Sequence, residues 1–161
     1  ILAARILVVL VFSLALAACS GSSPNVEDLL LGLDDFPPGE VTESNPLSTV
    51  TPQGVSAVQV DLSGPGFTLN QSIVMFQTQA SALSVLAGIK QDQLTQTVLP
   101  TDTSQFEDST EFIFETRGTQ EFLTQFFVEG RALVKVTISG SRAPELLPVY
   151  AEKARLKVSR Q

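Results

Sequence analysis

The sequence predicts an α+β domain: an antiparallel sheet of about five strands with helices packed on it. Three observations carry this. Residues 111–138 read as three consecutive strands whose apolar residues alternate. "AVQVDL" and "SIVMFQ" flank a Ser-Gly-Pro-Gly turn and read as two more. Apolar residues at helical spacing mark residues 79–97 and the stretch from Pro144 to residue 160. A chain of 161 residues, 43% hydrophobic, suits one such domain plus a short additional segment.

The elements follow in order. Val26–Leu33 places Val26, Leu29, Leu30 and Leu33 on one helical stripe, with Asn25 as its cap and Pro37-Pro38-Gly39 as its stop. Residues 39–54, rich in Pro, Ser and Thr, read as a loop. The helix over 79–97 has a stripe of Ala82, Leu83, Leu86, Ile89 and Leu94. A loop spans 97–108. The last helix carries Leu147, Tyr150, Ala151, Ala154 and Val158 inward, and Pro144 suits its first turn. Its basic residues Lys153, Arg155, Lys157 and Arg160 complement the helix dipole at the carboxyl end.

Two hairpins set the register of the three strands. Gly118-Thr119 as a two-residue loop pairs Phe114 with Leu123 and Phe112 with Gln125. Glu129-Gly130 as the next loop pairs Phe127 with Ala132. Together they gather Phe112, Phe114, Leu123, Phe127, Val134, Val136 and Ile138 on one face, the expected core, covered by both long helices. The other face receives Ile113, Phe122, Phe126 and Leu133. Four such side chains are expected to lie under the Val26–Leu33 helix and Phe36. The alternative is that they form a candidate binding face for a partner protein or an apolar ligand.

Residues 1–18 read "ILAARILVVLVFSLALAA": one base, Arg5, an apolar run, then small residues. This is the pattern of a cleaved signal peptide, with an apolar run too short to span a bilayer. Leu16-Ala17-Ala18-Cys19 resembles the lipobox of bacterial lipoproteins. The resemblance implies cleavage before Cys19, the only cysteine of the chain, a diacylglyceryl group on its sulfur and fatty acylation of the new amino terminus. Two or more acyl chains anchor a protein stably. Residues 19–25, rich in Ser and Gly, then form a flexible tether, and 26–161 form the domain. Ser20 after the cysteine implies, in lipoproteins of double-membrane bacteria, export to the outer membrane. The address is therefore the cell envelope, at the outer membrane or the outer face of the cell membrane.

The order of the elements resembles the PsbP-like α/β sandwich of several extracytoplasmic lipoproteins. "LLLGLDDFPPGE" is similar to the opening of small lipoproteins of unknown role. This implies a fold and carries no functional residue across.

Chemistry is sparsely signalled. The chain has no histidine, which excludes Ser-His and Cys-His nucleophilic pairs and His-ligated metal. The formal charge of −7 argues against nucleic acid. Asp34-Asp35, the tightest acidic pair, precedes Pro-Pro and reads as solvated turn residues, and no phosphate loop is present. No cofactor, metal or catalytic set is expected. The expected function is a lipid-anchored, non-enzymatic binding or interaction module. A carrier of lipid or another apolar molecule stands second, and a hydrolase without a recognisable motif third.

Overall fold

The computed structural model describes residues 25–50, 55–95, 110–116 and 121–160. The signal peptide, Cys19, the tether up to residue 24 and the Gly118-Thr119 turn lie outside the described residues. The fold is α+β: one antiparallel sheet with helices against it.

Seven strands form the sheet: β1 (Thr42–Glu43), β2 (Leu47–Val50), β3 (Ser56–Gly64), β4 (Phe67–Met75), β5 (Glu111–Thr116), β6 (Phe122–Glu129) and β7 (Ala132–Ser139). The order is β1-β3-β4-β7-β6-β5, and β2 also pairs with β3. Strands β1 and β2 arise within residues 39–54, where the sequence reads as a loop. Their Thr, Leu and Val residues suit an edge, where only one side of the backbone must find partners. The turn from β3 to β4 is Pro65-Gly66, with Gly64 opposite Phe67 and Gly66 at φ +77°.

Helix α1 (Gln79–Thr95) and helix α2 (Ala143–Ser159) lie on opposite faces of the sheet, not on one. The register of β5 makes both faces apolar. The structure pairs Glu115 with Leu123, Phe114 with Thr124 and Phe112 with Phe126, one residue away from the register that a Gly118-Thr119 two-residue turn requires. Thr116 faces Phe122 with five residues between them, an odd number that no two-residue turn produces. A slip of one residue turns every side chain over. Phe112 and Phe114 therefore join Phe126, Val128 and Leu133 beneath Ala82 and Leu86 of α1. Ile113 turns to the α2 face and packs with the larger core.

At the next hairpin, Glu129 pairs with Ala132 and Phe127 with Val134, so its loop is Gly130-Arg131. This moves the expected pairing by two residues. An even shift preserves the faces, and Leu123, Phe127, Val134, Val136 and Ile138 stay together against α2.

The opening segment is a strap, not an α-helix. Residues Val26–Leu29 and Leu33–Asp35 form single 3₁₀ turns. Leu29, Leu30 and Leu31 are all buried in succession, which no helical stripe allows. The Leu31 amide donates to Gln71 Oε1 of β4 at 2.6 Å rather than to a carbonyl of its own turn. The strap runs antiparallel to α2. Lys157 Nζ reaches the Leu30 carbonyl, Lys153 Nζ the Asp35 carbonyl at 2.5 Å, Tyr150 stacks on Phe36 with ring centroids 4.4 Å apart, and Arg142 pairs with Glu40 at 3.1 Å. It therefore completes the core on the α2 face. The face carrying Phe126 and Leu133 is covered by α1 instead.

Candidate functional site

The α1 face divides across its strands. Four cross-strand rows stack along the sheet. Ala57, Val74, Leu133 and Val128 form the lowest, at the end where Ser56, Met75, Ala132 and Glu129 meet. Gln59, Ser72, Lys135, Phe126 and Phe112 form the second. The third is Asp61, Asn70, Thr137, Thr124 and Phe114. The fourth is Ser63, Thr68, Ser139, Phe122 and Thr116. Helix α1 covers the apolar part of this face on β6 and β7.

The two upper rows are polar, and their side chains bond directly across the ladder, where opposing residues on one face meet. Asn70 Nδ2 donates to Asp61 Oδ1 at 2.8 Å. Thr68 Oγ1 and Ser139 Oγ lie 2.6 Å apart, and Thr124 Oγ1 and Thr137 Oγ1 3.0 Å apart. A depression of about 330 Å³ opens here, lined by these rows and by the half-buried Phe122 ring. Asp61, Ser63 and Thr68 are exposed. A second depression, of about 270 Å³, lies between the β5–β6 edge and the start of α2, and Phe122 lines it too, beside Glu115 and Glu121.

The structure thus separates the four residues of the candidate binding face. Phe126 is half-buried and Leu133 buried under α1, and Ile113 is on the opposite face of the sheet. Phe122 stands at an open depression. Cys19, the expected lipidation site, lies outside the described residues. Asp61, Asn70 and Thr68 were not singled out by sequence. Their signal is the alternation of polar and apolar residues over Val58–Ser63 and Phe67–Asn70, which marks a sheet face left to solvent.

The site has defined chemistry. Paired hydroxyls, an amide and a carboxylate offer donors and acceptors already held in place, and the phenyl ring offers an apolar wall. The carboxylates around Phe122 (Asp61, Glu115 and Glu121) disfavour an anionic ligand. Among the described residues, no group of three or more Cys, Asp and Glu is placed to hold a metal ion.

Elsewhere, Asp35 is not a solvated turn residue. Its carboxylate accepts from the Gly32 amide at 2.9 Å and pairs with Lys157 at 2.6 Å. Asp34 remains exposed. The basic end of α2 likewise does more than complement the helix dipole: Lys153 and Lys157 hold the strap, and Arg155 pairs with Glu111 while lying 4.5 Å over the Phe127 ring.

No family model matches the chain, and no curated protein matches it in sequence. The fold is similar to that of the extracellular domain of PknH from Mycobacterium tuberculosis. The TM-score is 0.59, the identity 15%, and the match covers 84% of this chain and 95% of that one. At this identity the likeness is one of fold. No helix among the described residues is long and apolar enough to cross a membrane.

Proposed function

We propose that this chain is a bacterial extracytoplasmic interaction module, anchored by lipid on Cys19, that binds through the depression at Phe122 and acts without catalysis. The observation that carries the binding role is the set of polar side chains in the two upper rows beside Phe122, open at a depression while α1 covers the apolar part of the face on β6 and β7. The fitting ligand is polar and neutral or cationic, with hydroxyl or amide groups to meet Asp61, Asn70 and Thr68 and an apolar edge to meet Phe122. The fold shared with an extracellular domain supports the address, as does the Leu16-Ala17-Ala18-Cys19 sequence. The absence of histidine from the whole chain supports a binding role over catalysis.

Two measurements test this. The full chain should partition into detergent, and Cys19→Ser should move it to the aqueous phase. Equal retention of the variant would mean that the apolar segment itself holds the protein in the membrane. For the binding role, the protein is purified from its own membrane and the species that remain bound are identified by native mass spectrometry. A ligand kept by the wild type and lost by Phe122→Ser supports the site. A ligand kept equally by both removes it.

A further inference from the structure

We propose that the lower end of the domain, where the Gly130-Arg131 turn lies, seats against the lipid bilayer, so that the depression at Phe122 points away from the membrane. The inference rests on the lipid anchor at Cys19.

Only residues 20–24 separate Cys19 from Asn25, where the described chain begins. A fully extended chain spans about 3.5 Å per residue, so the link from Cys19 to Asn25 reaches about 20 Å. The nine residues of β4, at about 3.4 Å each, span about 30 Å. The tether is therefore shorter than the sheet, and the end at which it joins the domain decides what approaches the bilayer.

That end is identified by contacts. Glu27, two residues after Asn25, accepts a hydrogen bond from Ser48 on β2. The Leu30 carbonyl accepts from Lys157 Nζ at 2.7 Å, near the carboxyl end of α2. Val26 and Met75 both pack against the α2-face core. Met75 pairs with Ala132, next to the Gly130-Arg131 turn. The strap then climbs along α2 toward Phe36 and Phe67 at the opposite end.

The surface at the lower end suits lipid better than the upper end does. Leu47 and Val50 on the edge strand β2 are 64% and 67% exposed, the highest values among the large apolar side chains of the described residues. Val50 pairs with Ser56, which pairs with Met75. Exposed Arg131 and Arg160 stand at this end with Glu27, Asp28 and Glu129, two bases against three acids. The upper end carries Asp61, Glu43, Glu115 and Glu121, and its Arg142 is drawn to Glu40 and Glu145. An anionic bilayer repels that end.

The test uses the full lipoprotein. Cys19 is the only cysteine, and lipid caps its sulfur, so an introduced cysteine is the only thiol open to a dye. Arg131→Cys marks the lower turn and Ser141→Cys the upper one, both at exposed positions. Each labelled protein is placed in vesicles of phosphatidylcholine and phosphatidylglycerol doped with a nitroxide headgroup lipid. The dye at 131 should lose most of its emission and the dye at 141 should keep it. Equal quenching, reversed quenching, or no quenching of vesicle-bound protein overturns the proposal. Failure of the anchor looks different: the amino-terminal peptide then lacks acyl mass and the protein leaves the vesicles altogether. Joint substitution of Leu47→Ser and Val50→Ser should weaken quenching at 131 with partition intact, and unchanged quenching would remove the two aliphatics from the contact.

Discussion

Lys157 Nζ lies 2.6 Å from Asp35 Oδ2 and 2.7 Å from the Leu30 carbonyl, so one cation near the end of α2 closes the strap over the core. Both side chains are partly shielded, at 30% and 20% exposure. Hydrogen bonds to charged groups contribute about 1.5–3 kcal/mol each when well shielded, and solvent reduces this here. Lys157→Met should therefore lower unfolding stability by about 1–2 kcal/mol. Denaturant titration checks this as a lower midpoint. An unchanged midpoint would mean that the buried leucines, Lys153, Tyr150 and Arg142 hold the strap without Lys157.

Phe112 is fully buried under α1, with its ring 5.2 Å from that of Phe126. Phe112→Ala should cost about 3–5 kcal/mol. The register makes a sharper statement. Phe112 should couple to Leu86 in a double-mutant cycle and show additivity with Leu147 across the sheet. Coupling to Leu147 instead would restore the two-residue turn at Gly118-Thr119.

Gly140 has φ +108°, and a Cβ there would fall 2.3 Å from the Gly66 carbonyl oxygen. The turn into α2 thus presses against the β3–β4 turn, backbone against backbone. Gly140→Ala should destabilise by at least about 1–3 kcal/mol, the range for a strained backbone conformation, with the clash in addition. Thermal unfolding reads the effect, and a melting temperature within a degree of wild type would contradict the close approach.

Tyr150 is stacked on Phe36 and buried, and burial first, then the nearby Glu40 carboxylate, raises its pKa above the ordinary value near 10. Above pH 10 the unfolded chain loses this proton before the folded one does, so stability falls as pH rises through that range. Unfolding measured at pH 9 and 11 should show a smaller alkaline loss for Tyr150→Phe than for wild type. The same loss in both would assign it to other groups.

The local pattern carried much of the architecture. The periodicity of residues 79–97 and 144–160 located both helices, and alternation located β3, β4 and β7, because helical and strand spacing are properties of neighbours in the chain. The Pro65-Gly66 turn was legible for the same reason. The face assignments of Leu123, Phe127, Val134, Val136 and Ile138 survived an error in the β6–β7 turn, since that error was an even number of residues.

What tertiary structure decided was everything that depends on one residue of register or on a distant partner. An odd-length connection between β5 and β6 sends Phe112 and Phe114 to the α1 face and Ile113 to the other, dispersing the candidate binding face and leaving Phe122 beside Asp61 and Asn70. Leu29, Leu30 and Leu31 look helical in isolation, yet the chain turns extended at Leu30, where Gln71 and Lys157, 40 and 127 residues away from their bonding partners, take up the Leu31 amide and the Leu30 carbonyl that a helix would have paired internally. Sequence spacing determines which side chains can share a stripe. Which stripes meet depends on strand register and on long-range partners for backbone polar groups, and these exist only in the folded chain.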